Sequence, residues 1–113
     1  MPDATSPAAP AVNVKSWTPE VVLPALGAPV RWRLLRKIAQ EGPRAASQLS
    51  GTAARPLDAT LKHLGILRDA GLLATSPDPA DGRRMLYARA PSVPVQKLET
   101  GTVIDFGFCL LRV

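Results

Sequence analysis

A single cysteine, Cys109, and a single histidine, His63, are all that the 113 residues offer of the two side chains most used to bind metals. One cysteine excludes an intramolecular disulfide and any cysteine-rich metal site, and it suits reducing surroundings best. The two residues stand far apart in sequence, no paired carboxylates flank a glycine turn, and there is no phosphate loop. None of the usual catalytic constellations can be assembled from this inventory. No apolar run reaches the roughly 18–20 residues that span a bilayer. The N-terminus also lacks the basic segment and continuous apolar stretch of a secretory signal. These absences lead to the expectation of a non-enzymatic, cytoplasmic protein with no cofactor, no bound metal and no membrane contact.

Proline, by contrast, is abundant, with twelve residues, and so is positive charge: the formal net charge is +5 and the sequence pI about 10.2. Between Arg31 and Lys62 seven basic residues (Arg31, Arg33, Arg36, Lys37, Arg44, Arg55, Lys62) face only Glu41 and Asp58, an excess that equals the whole net charge. Such a surface favours an anionic partner such as nucleic acid. The length suits one domain, whose folded part should come to about 95 residues.

Residues 1–16, MPDATSPAAPAVNVKS, hold almost no large apolar side chain and are expected to form a flexible arm. Thr18 is a candidate N-cap and Pro19 a first helical residue, which opens a short helix over roughly 19–26 that Pro24 weakens. Pro29 opens a second helix over about 29–41. Its apolar stripe is Val30, Leu34, Leu35, Ile38 and Ala39, with Arg33, Arg36, Lys37 and Gln40 outside. Arg31 falls within the stripe, so its charge needs a partner or an escape route: an internal hydrogen bond or ion pair is expected, with direct phosphate contact the alternative. Gly42-Pro43 ends that helix. Residues 44–50, RAASQLS, suit a short helix that adds Ala46 and Leu49 to the core, and 51–54 form the turn that follows.

The chain is organised around Arg55–Leu73, RPLDATLKHLGILRDAGLL. Its first sixteen residues read as one amphipathic helix. At about 100° per residue, Leu57, Thr60, Leu61, Leu64 and Leu67 fall on a core side, and Arg55, Asp58, Ala59, Lys62 and Ile66 fall opposite. Gly71 closes it, and the short helix with this one makes a helix-turn-helix. The turn-rich stretch 76–82 between Leu72–Thr75 and Arg83–Ala90 predicts a β-hairpin. Beyond it, Val93–Leu98 and Thr102–Val113 flank Glu99-Thr100-Gly101 and predict a second hairpin, with Gly107 a candidate bulge. Its apolar strand either completes the fold or pairs with another chain. Trp17 and Trp32 are expected in the core or a dimer interface. Cys109 is expected as a small buried hydrophobe rather than a redox switch.

Three segments, LGAPVRWRLL (26–35), LKHLGILRDAGLL (61–73) and GRRMLYARA (82–90), resemble the second helix, recognition helix and wing strand of winged helix-turn-helix regulators, especially the arsenical-repressor (ArsR) type. The resemblance covers about residues 20–90. It implies an α+β fold of three to four helices plus a β-hairpin wing, to which this chain adds a C-terminal β-hairpin. The expected division is an arm at 1–16, a winged domain at 17–90 and the hairpin extension at 91–113. Metal-sensing members carry a cysteine pair in the helix matching residues 44–50 or ligand sets in a last helix. RAASQLS and the strand-like tail offer neither. Many relatives carry a histidine at the position of His63, which points to packing or a hydrogen bond.

The implied function is sequence-specific binding of double-stranded DNA, as a homodimer, in transcriptional regulation. Arg55, Asp58, Ala59 and Lys62 are the candidates on the outward recognition face, where Arg55 and Lys62 can meet guanine or phosphate and Asp58 can accept from cytosine. Arg44 near a helix start is a phosphate candidate, and Arg83 and Arg84 on the wing would meet backbone or minor groove. The recognition face is poorer in hydrogen-bonding groups than is usual in the family. A second possibility is therefore a protein-interaction module, using the winged fold and the C-terminal strand without autonomous DNA binding.

Overall fold

The computed structural model describes residues 17–113, so the arm expected at 1–16 lies outside the described residues. Four helices come first: α1 Pro19–Ala25, α2 Pro29–Glu41, α3 Ala46–Ala53 and α4 Leu57–Asp69. Strand β1, Arg44–Ala45, separates α2 from α3; β2 Leu73–Pro77 and β3 Met85–Arg89 follow α4; β4 Val95–Leu98, β5 Gly101–Asp105 and β6 Leu110–Arg112 close the chain. The strands form two antiparallel sheets, ordered β1-β3-β2 and β4-β5-β6.

Helix α2 forms where its stripe demands it, from Pro29 at the first helical position to Gly42, which donates the last helical bond to the Ile38 carbonyl at 2.8 Å and, with a φ of 88°, turns the chain out of the helix. Val30, Leu34, Leu35 and Ile38 are buried. Leu49 and Ala53 of α3, Leu64 and Leu67 of α4, and Leu72, Leu73 and Tyr87 of the first sheet join them in one core cluster. Helix α3 is capped at its start by Gln48, whose Oε1 accepts the Ala45 N–H at 2.9 Å. It ends at Ala54, which adopts the left-handed conformation at φ 53° and ψ 42°. Pro56 then opens α4, and buried Thr60 is satisfied by donating its hydroxyl to the Pro56 carbonyl at 3.0 Å.

Several expectations need correction. The long helix begins at Leu57, not Arg55, and ends at Asp69. Its buried residues are Thr60, Leu64 and Leu67, while Leu57 and Leu61, expected in the core, are 47% and 42% exposed. Arg44-Ala45 pair with Tyr87 and Leu86 of β3 instead of beginning a helix, and Gly51–Ala53 are helical instead of forming the turn. The backbone groups of residues 44 and 45 find partners on the wing strand, which outweighs two further residues of helix.

The second hairpin is present as β4–β5, with Val95 opposite Ile104 and Leu98 opposite Gly101. The run after it does not continue as one alternating strand. Gly107, at φ 93°, donates to Asp105 Oδ1 at 2.8 Å and turns the chain back, so that β6 forms a third strand along β5. Gly107 is thus a turn residue rather than a bulge. Val93, Ile104, Phe106 and Val113 belong to the same core cluster as the helices. Trp17 packs on Phe106 with ring centroids 5.5 Å apart, and the Trp32 indole donates to the Arg112 carbonyl at 3.1 Å.

Candidate nucleic-acid interface

Helices α3 and α4, joined through Ala54–Pro56, form the helix-turn-helix, and β2–β3 stand beside α4 as a wing. The wing register runs from Leu73 opposite Arg89 to Pro77 opposite Met85. Its tip is closed by Asp78 N–H to Arg84 O at 2.9 Å and by Asp78 Oδ1, which accepts from Ala80 N–H at 2.9 Å. An aspartate that accepts from the backbone two residues on is a usual way to fix such a turn.

Of the sequence-predicted residues, Arg55, Asp58 and Lys62 are exposed at the turn before α4 and on its first two turns. Ala59 is half-buried rather than outward. Arg44 lies in β1, not at a helix start, and its guanidinium is held by Pro43 O at 2.8 Å and Glu41 Oε1 at 3.5 Å. Glu41 also pairs with Lys37 at 2.9 Å, and these bonds with the two cations hold its carboxyl below the usual range. Arg83 and Arg84 sit in the wing turn, where Arg83 reaches Asp81 at 3.5 Å and Arg84 reaches Asp78 at 4.0 Å. The Arg83–Asp81 pair is exposed and weak, and the Arg84–Asp78 contact is long, so both open readily to a stronger anion.

Sequence reasoning missed a groove between α4 and the wing. It is lined by Ala45, Ala46 and Ser47 from β1 and α3, Leu57 and Leu61 from α4, and Arg84, Met85 and Tyr87 from the wing, with a volume of about 300 Å³. Met85 is 45% exposed, so three large apolar side chains (Leu57, Leu61 and Met85) face solvent there. Leucine at helical spacing carries the same sequence signal whether it meets a core or a groove. The only clue was the number of leucines, more than one narrow face can bury.

Arg31 and His63 lie on the opposite side of α4, toward α1. Arg31 Nε donates to Ala25 O at 2.6 Å and Nη2 to Pro24 O at 3.2 Å, both in the last turn of α1, while Nη1 bonds His63 Nδ1 at 3.0 Å. The charge inside the apolar stripe thus ends on carbonyls of the α1 C-terminus, where a cation is favoured. Burial, then the Arg31 and Arg55 charges, lower the His63 pKa below its ordinary value. Arg36 lies over the Trp32 ring at 5.3 Å from its centroid. Among the described residues no three His, Cys, Asp or Glu side chains gather as a metal would need, and no helix is long and apolar enough to cross a membrane.

No protein-family model matches the sequence, and no curated protein is significantly similar to it. Solved structures are similar. A probable transcriptional regulator from Pseudomonas aeruginosa superposes with a TM-score of 0.55 at 28% identity, over 65% of this chain and 58% of its own. A transcriptional regulator from Thermotoga maritima gives 0.56 at 30% identity, over 62% and 50%. The transcriptional regulator BldR from Sulfolobus solfataricus gives 0.53 at 20% identity, over 57% and 45%, and supports the fold alone. The chain therefore spans only about half the length of these structures. Its fold is a winged helix-turn-helix of the kind found in transcriptional regulators.

Proposed function

We propose that the protein is a transcriptional regulator that binds double-stranded DNA sequence-specifically. One observation carries this: an exposed recognition helix lies beside a wing, with Arg44, Arg55, Lys62, Arg83 and Arg84 on the elements around it. In this reading α4 enters the major groove, Arg55 and Lys62 meet phosphate or guanine, Asp58 accepts from cytosine, and Arg83 and Arg84 leave their aspartates for the backbone or minor groove. Ala59 would contribute contact area only. Its task is binding and not catalysis, and its place of action is the cytoplasm. The ArsR-type reading is supported by the LKHLGILRDAGLL segment, in which His63 takes a structural hydrogen bond. No metal-sensing role accompanies it.

The reading includes a homodimer, which would set the spacing of two half-sites at about one helical turn. Its support is the C-terminal sheet, whose edge strands β4 and β6 expose Leu98 (50%) and Leu110 (66%). Exposed apolar edges of this kind are normally covered. The same feature favours the second reading, a protein-interaction module in which β6 adds to a partner's sheet.

The test is a salt titration of binding to random-sequence duplex by fluorescence anisotropy, with a Lys62→Ala/Arg84→Ala variant alongside. A DNA binder shows affinity that falls steeply with salt, and the loss of two phosphate contacts reduces the log–log slope by about two. An unchanged slope removes those two residues from the interface. Absence of binding at low salt rejects the regulator reading in favour of the interaction module.

A further inference from the structure

Resting on the DNA-binding reading, we infer that the groove between α4 and the wing recognises thymine C5-methyl groups, so that Leu57, Leu61 and Met85 set a preference for thymine in the major groove. The groove presents these three exposed apolar side chains together with the methyls of Ala45 and Ala46. None of the five side chains carries a hydrogen-bond donor, and only the Met85 sulfur accepts, weakly.

In the major groove every base edge offers donors or acceptors, and only thymine adds a methyl group. A leucine pressed against guanine O6 and N7 or the cytosine amine strips water from those groups and returns nothing, which is costly. Against a thymine methyl the same leucine gains contact area. The polar readers left on this face are few: Ser47 and Arg84 on the groove wall, with Asp58 and Lys62 on the next positions of α4. The groove therefore discriminates by apolar contact.

A nucleic acid fits this groove better than an apolar peptide because of what surrounds it. Arg84 lines it, and Lys62 is exposed on α4 next to Leu61. A cation on the wall, a second on the adjoining helix face, and methyl and isobutyl groups within match phosphates flanking a row of base methyls.

The experiment selects binding sites from a random duplex library with the full chain, then rebuilds the best site with deoxyuridine in place of thymine, which removes only the methyl. The expected result is a site with thymine at two or more recognition-helix positions, and about a fourfold loss of affinity for each contacted methyl removed, the ratio that matches about 0.8 kcal/mol per buried carbon. A Leu57→Ser/Leu61→Ser/Met85→Ser variant, altered only at exposed positions and checked for an unchanged circular-dichroism spectrum, should bind thymine and uracil sites equally. Equal affinity of the native protein for the two sites overturns the inference while DNA binding stands. So does a variant that keeps the discrimination. Failure to bind any duplex at low salt overturns both.

Discussion

Arg31 Nη1 meets His63 Nδ1 at 3.0 Å, so one guanidinium ties the last turn of α1 to the middle of the recognition helix. A guanidinium has only donors, and the imidazole nitrogen facing it must accept. His63 is therefore neutral in the fold, with its proton on Nε2.

Stability should fall as pH drops through the range below 6.5. The folded-state pKa of His63 is lowered from 6.5 by burial first and then by the Arg31 and Arg55 charges. Between the lowered value and 6.5 the unfolded chain binds more protons, so stability rises with pH there and is fully present above 6.5. Urea denaturation at pH 7.5 and 5.0 should show the loss, and His63→Gln should reduce it. A variant with the same pH dependence would assign the effect to other groups.

Replacing Arg31 by Met should destabilise the fold by about 1–3 kcal/mol, the range for losing charge-assisted hydrogen bonds and removing the donor to the Ala25 carbonyl. Arg31→Lys should recover only part of this, because an ammonium cannot present the fork that reaches Pro24 O, Ala25 O and His63 together. Thermal unfolding of the two variants against the native chain is the measurement.

Two backbone positions should gain stability. Ala54 holds a left-handed conformation at φ 53°. Ala54→Gly relieves a cost of about 1–2 kcal/mol against a smaller rise in unfolded-state entropy, for a net gain of about 0.5–1 kcal/mol. Gly65 lies inside α4, and a Cβ there would meet only Arg68 Nη2, at 4.0 Å. Gly65→Ala should add about 0.5–1 kcal/mol through helix propensity. Loss of stability in either variant would point to a strain that these backbone angles and distances do not contain.

Asp78 pairs with Arg84 across 4.0 Å and also fixes the wing turn through Ala80 N–H. Asp78→Asn keeps an oxygen for the turn and removes the competing charge. Affinity for duplex at low salt should rise a few-fold, with a steeper salt dependence as Arg84 engages phosphate more fully. Unchanged binding would place Arg84 away from the DNA.

Helix α2 was legible in the sequence because its stripe is long, its ends carry Pro29 and Gly42, and its exposed face is charged. The helix-turn-helix and wing were legible as an ordered set of segments. Leu57 and Leu61 were not, since α4 buries only a narrow arc about Thr60, Leu64 and Leu67, and hydrophobicity does not say which apolar neighbours lie outside it. The short β1 strand escaped notice because two residues cannot carry a period. In the tail, alternation ran unbroken through Gly107, and only its positive φ reveals the turn that makes a third strand.

Ala45 pairs with Leu86 on the wing, supplies the N–H that caps α3, and lines the groove. The spacing of α4 and the wing is thus set by backbone pairing, by the Gln48 cap and by the buried Ala45 and Tyr87 at the base of the groove. Leu57, Leu61 and Met85 are each about half exposed, so exchanging them reshapes the groove's surface at a smaller cost in stability than a change at the fully buried Leu64 or Leu67.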